Sequence, residues 1–370
     1  MGLNVTYVGL EEILDWEGFR EKVLAWGLPS SSQLLTEPFR DLLANNPNGC
    51  AADPGVFLGL VDGRIACHIA LVPDVLCVGG EELRWFWGQS FLTTAEARGR
   101  GIGTAVVKEM LRVVGAMGAC YGAFAMSPSS RRVWAKCGMV DLGEFDRWVL
   151  PCDIRPFVDR FVPRAFPAGL ARRLGNLGLT CFRARNRAAA RRQLDTRYQC
   201  GKVTEFPHEL PSRDFSIPLS VCMRNGAREL NWKLAAAPGR SSGQKKYRCH
   251  VVRRRDSGTL EGSFVLRDRV LDGPRVAPYR DVRISTLMDW SFISTTESMR
   301  AVLGYAVSES LGRTEVMEVV SSVPSVSREL RKWGFLRKGG MALCYKAPCL
   351  LPQARKEWWI SAGESDAFFM

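Results

Sequence analysis

Two spacings of hydrophobic residues, one typical of strands and one typical of helices, alternate along residues 1–150. Alternating or continuous apolar runs predict strands, and apolar positions three or four residues apart predict helices. The predicted strands are NVTYVGL (4–10), VFLGLVDGRIACHIALVPDVLCV (56–78, two strands joined at Asp62-Gly63), LRWFWGQSFLT (83–93), CYGAFAMS (120–127) and DLGEFDRWVLP (141–151). The predicted helices are DWEGFREKVLAWG (15–27), TEPFRDLLANN (36–46), GTAVVKEMLRVVGAMG (103–118) and SSRRVWAKCG (129–138). This order predicts an α+β fold with helices on a mostly antiparallel mixed sheet.

The C-terminal part of the chain repeats this order in a weaker form. Strand-like runs at 247–255, 262–268 and 282–292 precede a helical pattern at 295–312, and a strand, a short helix and a last strand follow at 315–322, 325–335 and 341–347. The segments RRVWAKCGM and RELRKWGF can be aligned with each other at their ends. We therefore predict a duplicated fold, with one domain at 1–152 and a degenerate second copy at 203–370.

The segment between the two copies is strongly basic. The chain has a formal net charge of +13, and residues 155–202 carry twelve Lys or Arg against two acidic residues. We interpret residues 153–202 as a connector, whose Pro and Gly content argues against one long helix. A solvated linker is the simplest interpretation, and its apolar residues leave peripheral contact with an anionic membrane as a second one. No nucleic-acid recognition fold is visible, so nucleic acid is not an expected partner.

The pattern of cysteines and histidines and the composition of the N-terminus indicate where the protein is located. Twelve cysteines are scattered without a CxxC pair, and the three histidines lie far apart in the sequence. We therefore expect reduced thiols and neither a metal site nor a disulfide framework. The N-terminus has no apolar signal segment, and the most apolar stretch, residues 101–126, contains charged residues. A cytoplasmic protein is expected, with peripheral membrane association as an option.

The stretch EARGRGIGTAVVKEML (96–111) predicts an anion site. Glycine at every second position exposes successive backbone N–H groups where a helix begins, and helix N-termini favour anions. Two interleaved arginines add positive charge, so the expected ligand is a phosphate or pyrophosphate. A P-loop would need a lysine directly after the last glycine, and a dinucleotide fingerprint would need GxGxxG. Neither pattern is present.

The same stretch resembles the signature of the GNAT acyltransferase superfamily, [QR]-x-x-G-x-[GA], met by Arg98-Gly99-Arg100-Gly101-Ile102-Gly103. FLTTAEA (91–97) and CYGAFAMSPSSRRVWAKCGM (120–139) resemble the strand before and the strand and helix after that motif. The resemblance implies two GNAT-like domains, the second without the phosphate turn. It also implies an acyl-coenzyme A, first of all acetyl-coenzyme A, as co-substrate, with no metal.

The resemblance further implies how the coenzyme binds. Backbone N–H groups from Gly99 to Thr104 would hold the pyrophosphate, and a bulged strand at residues 91–93 would bond to the pantetheine arm and diverge from residues 123–127. A free N–H of Leu92 or Thr93 would polarise the thioester carbonyl for direct attack by an amine. The implied coenzyme-binding residues are Phe91, Leu92, Thr93, Arg98, Gly99, Arg100, Gly101, Ile102, Gly103, Thr104, Ser127 and Ser130.

The chain departs from the family pattern at the proton-transfer positions. Ser127 and Ser130 replace Asn and Ala, and Trp134 replaces the tyrosine that protonates the leaving thiolate in many members. An indole N–H cannot act as that acid. Tyr121 or a water is then the candidate acid. Since the usual carboxylate base is also missing, His68 is the candidate base, with a satisfied half-buried histidine as the alternative interpretation.

The second copy supplies candidate acceptor-binding residues. RELNWKL (228–234) and WWISAGESDAF (358–368) resemble segments of two-domain bacterial GNAT proteins linked to cell-surface polysaccharide or amino-sugar chemistry. Trp232 and Asp366, with Glu364, would then contact a polar acceptor. The alternative is that Trp232, Trp358 and Trp359 fill a core or interface.

Three functions follow. The favoured one is acyl transfer to a primary amine of a small molecule, first of all an amino sugar or sugar-bearing metabolite. The others are a peptidoglycan-type aminoacyltransferase using aminoacyl-tRNA, which the intact pyrophosphate turn disfavours, and a non-catalytic acyl-coenzyme A sensor.

Overall fold

The computed structural model of the chain describes residues 2–153, 175, 177–178, 196–210, 221–237, 245–271, 281–293 and 295–363. Its helices are α1 (Leu10–Leu14), α2 (Trp16–Ala25), α3 (Glu37–Ala44), α4 (Ile102–Ala116), α5 (Pro128–Lys136), α6 (Ala227–Ala236), α7 (Thr296–Ser310) and α8 (Pro324–Lys332). Its strands are β1 (Leu3–Gly9), β2 (Pro54–Val61), β3 (Arg64–Val78), β4 (Glu81–Thr93), β5 (Cys120–Phe124), β6 (Val140–Pro151), β7 (Tyr198–Val203), β8 (Val221–Met223), β9 (Lys245–Arg254), β10 (Leu260–Val270), β11 (Arg283–Phe292), β12 (Val316–Val320), β13 (Leu336–Lys346) and β14 (Trp358–Trp359).

The strands form one continuous sheet in the order β1-β2-β3-β4-β5-β13-β6-β12-β11-β10-β9-β7. β8 pairs with the second half of β3, and the short β14 pairs with β8. The pairs β4–β5, β11–β12 and β8–β14 are parallel, and the other described pairs are antiparallel. The predicted α+β fold with a mostly antiparallel mixed sheet is confirmed.

Helices cover the sheet because each buries one apolar stripe against it. Residues of α4 and α5, among them Val106, Met110 and Trp134, share one core cluster with β2–β5. A second cluster joins residues of α1–α3 and α6 to β2–β4. A third joins α7 and α8 to β10–β12 and to Trp148 and Leu150 of β6.

The predicted duplication is present in the order of elements. The series β2-β3-β4-α4-β5-α5-β6 corresponds to β9-β10-β11-α7-β12-α8-β13, and each copy contains one parallel pair next to its long helix. The connections before the long helices differ. Residues 94–101 link β4 to α4, whereas only residues 293–295 link β11 to α7. The second copy therefore has no room for the glycine turn of the first.

The two copies exchange their last strands. β13 of the second copy lies between β5 and β6 of the first, with Cys344 opposite Ala123 and Ala342 opposite Glu144. β6 in turn pairs with β12, with Met317 opposite Leu150. The first copy thus cannot complete its sheet without the second. The predicted boundaries at 152 and 203 stay a prediction, since backbone pairing joins the two copies into one sheet.

The adjacent tryptophans of β14 join the two cores. Trp358 lies 6.3 Å from Trp85 of β4 between ring centroids, and Trp359 lies 4.9 Å from Trp290 of β11. Both are buried. Both tryptophans therefore pack in a core, as the alternative interpretation of the sequence expected.

No helix in the described part of the chain combines the length and the apolarity that crossing a membrane needs. Most of the basic connector, including all of 179–195, lies outside the described residues.

Candidate functional site

The central feature of the first copy is a divergence between two parallel strands. β4 and β5 pair only from Trp85 opposite Cys120 to Trp87 opposite Gly122, and they separate beyond that point. Glycines stand on both strands at the junction. A Cβ at Gly88 would overlap the hydroxyl of Tyr121, and a Cβ at Gly122 would overlap the ring of Trp85. Both glycines are required because aromatic side chains occupy the space of a Cβ.

Each arm of the divergence is bent by a non-glycine residue with positive φ. On β4, Ser90 has φ 51°, and the register with β3 shifts so that His68 lies opposite Leu92 while Ala70 lies opposite Gln89. This is a bulge, and bulges re-aim the strand that carries them. On the other arm Ala125 has φ 57°, and its N–H donates to the carbonyl oxygen of Ala342 on β13 at 3.0 Å. The expected bulge and divergence are both present.

The glycine turn leads directly into α4. Gly101 is the N-cap of this helix with φ 79°, and no side chain caps the helix there. Gly99 has φ 78°, and a Cβ on Gly99 or Gly101 would meet nothing within 4 Å. Glycine is therefore needed at these two positions because the backbone is left-handed there, and not because a neighbouring group packs against it. The absence of side chains also leaves this surface open. The first N–H groups of α4 have no partner inside the helix and are available to an anion.

Gly103 has a different role. A Cβ there would lie 3.1 Å from the Thr93 hydroxyl oxygen and 3.2 Å from Phe91. Its missing side chain thus lets the first turn of α4 approach β4. The Arg98 Nε donates to the carbonyl oxygen of Thr93 at 3.3 Å and ties the turn to the same strand. The strand and the turn are consequently held together as one wall of a cleft.

This cleft has a volume of about 620 Å³ and collects most of the predicted coenzyme-binding residues. It is lined by Phe91, Leu92, Thr93, Ala97, Arg98, Gly99, Gly101, Ile102, Gly103, Thr104, Ser127, Ser129, Ser130, Arg132, Val133 and Lys136. Of the twelve residues expected from the sequence, Arg100 is absent from this lining. The N-terminus of α5 also faces the cleft, where the Ser127 hydroxyl caps the helix by accepting from the N–H of Ser130 at 3.2 Å. Two helix N-termini therefore converge on one space.

The charge of the cleft is positive. Arg98, Arg132 and Lys136 line it, and no Asp or Glu is present in its described lining. Sequence reasoning missed Arg132 and Lys136, although their spacing of four residues in SSRRVWAKCG places them on one face of the predicted helix. Helix dipoles and cations together favour a ligand with several negative charges.

The two residues proposed for proton transfer do not line the cleft. His68 is only 5 % exposed, and burial lowers the pKa of its imidazole to about 4. Tyr121 is fully buried, and its ring lies 5.3 Å from that of Trp134 between centroids. The roles suggested for His68 and Tyr121 stay predictions, and the structure places both side chains in the core.

Trp134, which replaces the tyrosine of the family pattern, lies beside the cleft. Its ring lies 5.3 Å from Phe91, which lines the cleft, and it is 2 % exposed. It fills the gap between the α4–α5 layer and the bulged strand.

The candidate acceptor residues of the second copy lie elsewhere. Trp232 of α6 is buried, and its indole N–H donates to the carbonyl oxygen of Leu42 in α3 at 2.9 Å. Its observed role is packing between the two copies, and acceptor binding by Trp232 stays a prediction. Glu364 and Asp366 lie outside the described residues.

Comparison with known proteins bears on the fold. No protein-family model matches the sequence, and no curated protein matches it either. Solved structures do match over nearly the whole chain. A probable N-acyltransferase of unknown function from Enterococcus faecalis superimposes with a TM-score of 0.56 at 14% identity, covering 94% of this chain and 72% of that one. A GCN5-related N-acetyltransferase from Anabaena variabilis gives a TM-score of 0.56 at 12% identity, covering 94% and 73%. This chain has the GNAT fold.

A third similar structure is that of a eukaryotic enzyme. Saccharomyces cerevisiae N-myristoyltransferase with bound myristoyl-CoA gives a TM-score of 0.55 at 10% identity, covering 93% of this chain and 82% of that one. This chain therefore shares its fold with structures described as a probable N-acyltransferase, an N-acetyltransferase and an N-myristoyltransferase. At such low identity the likeness concerns the fold alone.

Proposed function

We propose that this protein is an acyl-coenzyme A-dependent N-acyltransferase whose coenzyme occupies the cleft between β4, the glycine turn and α5. The observation that carries the proposal is the convergence of two helix N-termini and three cations on a cleft that begins at a strand divergence. The anionic end of the coenzyme and its extended arm require these two features side by side.

The residues that line the cleft fit the phosphate groups of coenzyme A. Gly99 and Gly101 leave the turn bare of side chains within 4 Å of their missing Cβ atoms, so a diphosphate can approach the backbone. The N–H groups from Gly101 to Thr104 would hold that diphosphate. Arg132 and Lys136 lie one and two turns farther into α5 and would hold the remaining phosphate of the nucleotide as charged donors.

Phe91, Leu92 and Thr93 form the arm of β4 that lines the cleft. Because the divergence removes their β5 partners, backbone groups on this arm are available to bind the pantetheine amides as an added strand would. Acyl-coenzyme A would supply an activated thioester, and a backbone N–H of Leu92 or Thr93 would polarise its carbonyl. The acceptor is a primary amine of a small molecule, with an amino sugar as the first class to test and acetyl as the first acyl group.

One observation favours a second candidate function, a non-catalytic acyl-coenzyme A sensor. Trp134 fills the place of the expected proton donor, and the candidate base His68 is buried with its pKa lowered to about 4. A protein with this site could bind the coenzyme without turning it over. An enzyme would have to take its proton donor from solvent or from the acceptor.

Thiol release separates the two candidates. The full chain is incubated with acetyl-, propionyl- and longer acyl-coenzyme A and a panel of amino sugars and polyamines, and free thiol and acylated products are measured by absorbance and mass spectrometry. Amine-dependent thiol release with a matching acylated product supports the transferase. Tight coenzyme binding with no product from any amine supports the sensor, and transfer from aminoacyl-tRNA without coenzyme binding would contradict both.

A further inference from the structure

A second cavity lies along α5, on a different face of this helix from the cleft proposed for the coenzyme. Its volume is about 520 Å³. It opens where β5 ends, because Phe124 opposite Leu343 is the last register pair of β5 with β13. Beyond that pair the Ala125 N–H still donates to the Ala342 carbonyl oxygen at 3.0 Å, and the chain then leaves the sheet to enter α5. The cavity thus occupies the gap beside β13, and both copies of the fold contribute to it.

Most residues that line this cavity are apolar or glycine. Met126 packs against the core that α4 and α5 share with the sheet, whereas Met341 packs against the core on the side of α1–α3. Ala125, Ala135 and Ala342 belong to the same lining. Methionine side chains are unbranched and polarisable, so they adjust to ligands of different shapes. A lining of this kind takes the hydrocarbon or aromatic part of a small molecule.

Glu144 of β6 supplies a carboxylate to the cavity. Its side chain lies across Gly340 of β13, where an added Cβ would stand 2.6 Å from the Cβ of Glu144 and 3.2 Å from its Oε2. Glycine at position 340 therefore leaves the room that this side chain occupies. The carboxylate accepts no hydrogen bond from the residues that the structure describes, and its ion pair with the Arg131 Nη1 spans 3.9 Å. The Glu144 side chain is 55 % exposed, so a ligand can reach it.

The two positive charges of the cavity have other partners, one in the fold and one in the proposed coenzyme. Arg131 donates to the Asp141 carboxylate from Nε at 2.6 Å and from Nη2 at 2.9 Å, which balances its charge. Arg132 lines both cavities, and the proposed function assigns its guanidinium group to a phosphate of the coenzyme. The charge that remains for a ligand of the second cavity is the negative one of Glu144. An ammonium group is its complement, since a carboxylate only accepts hydrogen bonds and an ammonium group only donates them.

We propose that this second cavity binds a small molecule that carries an ammonium group on an apolar body, and that Glu144 accepts the hydrogen bonds of that group. The partner assigned to Arg132 rests on the proposed function, whereas the apolar lining and the position of Glu144 do not. An amino sugar fits this cavity less well, because its hydroxyl groups would lose water and find few partners among alanine and methionine side chains. The same chemistry suits two sources, the amine acceptor of the proposed reaction and an amine that is not acylated.

Calorimetric titration of the full chain at neutral pH tests the site. The probes are phenethylamine, phenylpropionate, which carries a carboxylate on a similar body, and glucosamine. We expect the wild type to bind phenethylamine at least about tenfold more tightly than either of the others, and Glu144→Gln to weaken that binding by about five- to tenfold. Glu109→Gln, which removes a carboxylate of α4, should bind as the wild type does. No binding of phenethylamine by the wild type, or equal binding by Glu144→Gln, would overturn the proposal.

A change of shape without a change of charge gives a second test. Ala135→Trp fills part of the cavity and should weaken phenethylamine binding, whereas Ala116→Trp, at the last residue of α4, should not. Equal binding by these two variants would mean that the amine binds elsewhere.

Two further measurements keep this proposal apart from that of the coenzyme and identify the source of the amine. Gly101→Glu, placed in the cleft proposed for the coenzyme, should bind phenethylamine as the wild type does, so loss of coenzyme binding and loss of amine binding are separate results. Incubation with acetyl-coenzyme A then distinguishes the sources. An acylated amine whose KM rises in Glu144→Gln at little changed kcat identifies the acceptor, and Glu144-dependent binding without product identifies a separate ligand. Amine binding that requires Gly101 and not Glu144 would overturn the proposal.

Discussion

The rings of Trp134 and Tyr121 pack with centroids 5.3 Å apart and planes tilted by 38°, behind the wall of the cleft proposed for the coenzyme. The tryptophan also contacts Phe91 on the bulged strand. A buried indole therefore lies beside the cleft at the position where the family pattern has a tyrosine. If the protein is a transferase as proposed, the group that protonates the leaving thiolate is therefore not a tyrosine at position 134.

A phenol at position 134 should raise turnover. Trp134→Tyr places a hydroxyl beside the cleft, while Trp134→Phe removes the same ring volume without supplying a proton donor. If leaving-group protonation limits the rate, we expect kcat of the tyrosine variant to exceed that of the phenylalanine variant by about tenfold or more, because positioned acids contribute at least that much. Coenzyme affinity should be the same in both. Equal kcat values in the two variants would mean that protonation at this position does not limit the reaction.

The cations of α5 should recognise the nucleotide phosphate. Arg132→Gln and Lys136→Gln should each weaken binding of coenzyme A by about five- to thirtyfold, since a charge-assisted hydrogen bond to phosphate is worth roughly 1–2 kcal/mol. Binding of dephospho-coenzyme A, which lacks the nucleotide 3′-phosphate, should change little. Arg112→Gln on α4 is the control. Equal losses for both ligands would place these side chains on the diphosphate instead.

Replacing Gly122 at the junction of β4 and β5 should lower the stability of the fold. Gly122→Ala drives a Cβ into the ring of Trp85, and such overpacking costs about 1–3 kcal/mol of unfolding free energy. Gly115→Ala on the exposed side of α4 is the matched control and should stabilise by up to about 1 kcal/mol, because nothing lies within 4 Å of its Cβ. Urea denaturation measures both. A Trp85→Phe background should reduce the cost of Gly122→Ala, and an unchanged cost would argue against the overlap.

Acid should destabilise the fold through its buried histidines. Burial lowers the pKa of both His68 and His250 to about 4, below the ordinary value of 6.5. Between pH 6.5 and 4 the unfolded chain therefore binds protons that the folded chain does not. Stability is full above pH 6.5 and falls as the pH drops through that window, by on the order of 3 kcal/mol for His68.

Urea unfolding at pH 7.0 and 4.5 tests this dependence. His68→Gln should lose less stability between the two pH values than the wild type, whatever its stability at pH 7.0. His208→Gln, at an exposed position, should lose as much as the wild type. Equal losses in all three proteins would mean that His68 is not the buried neutral group described above.

Local sequence patterns predicted most elements and the turn that forms the site. The predicted helix at 103–118 corresponds to α4 (Ile102–Ala116), and the predicted strand at 83–93 covers all but the first two residues of β4 (Glu81–Thr93), because apolar periodicity reports which residues face a core. The alternating glycines predicted an exposed helix N-terminus, since positive φ at Gly99 and Gly101 is a property of the local chain. A bulge at residues 91–93 was expected only from the family resemblance, and the observed bulge lies between Gln89 and Leu92, around Ser90.

Features that depend on distant parts of the chain were not predictable in the same way. The insertion of β13 between β5 and β6 leaves no local signal, because a strand pattern shows that a strand exists and not which strand it pairs with. The burial of His68 and Trp232 likewise depends on neighbours remote in sequence. Arg132 and Lys136 could have been found, since their spacing places both on one helix face beside Ser127.

Calorimetric titration with coenzyme A tests the central claim most directly. The comparison is between the wild type, Gly101→Glu at the mouth of α4, and Gly115→Glu, which adds the same side chain near the other end of that helix. Circular dichroism confirms that each variant is folded. We predict that the wild type and Gly115→Glu bind coenzyme A with the same affinity and that Gly101→Glu does not bind it. Undiminished binding by folded Gly101→Glu would contradict the assignment of this cleft to the coenzyme.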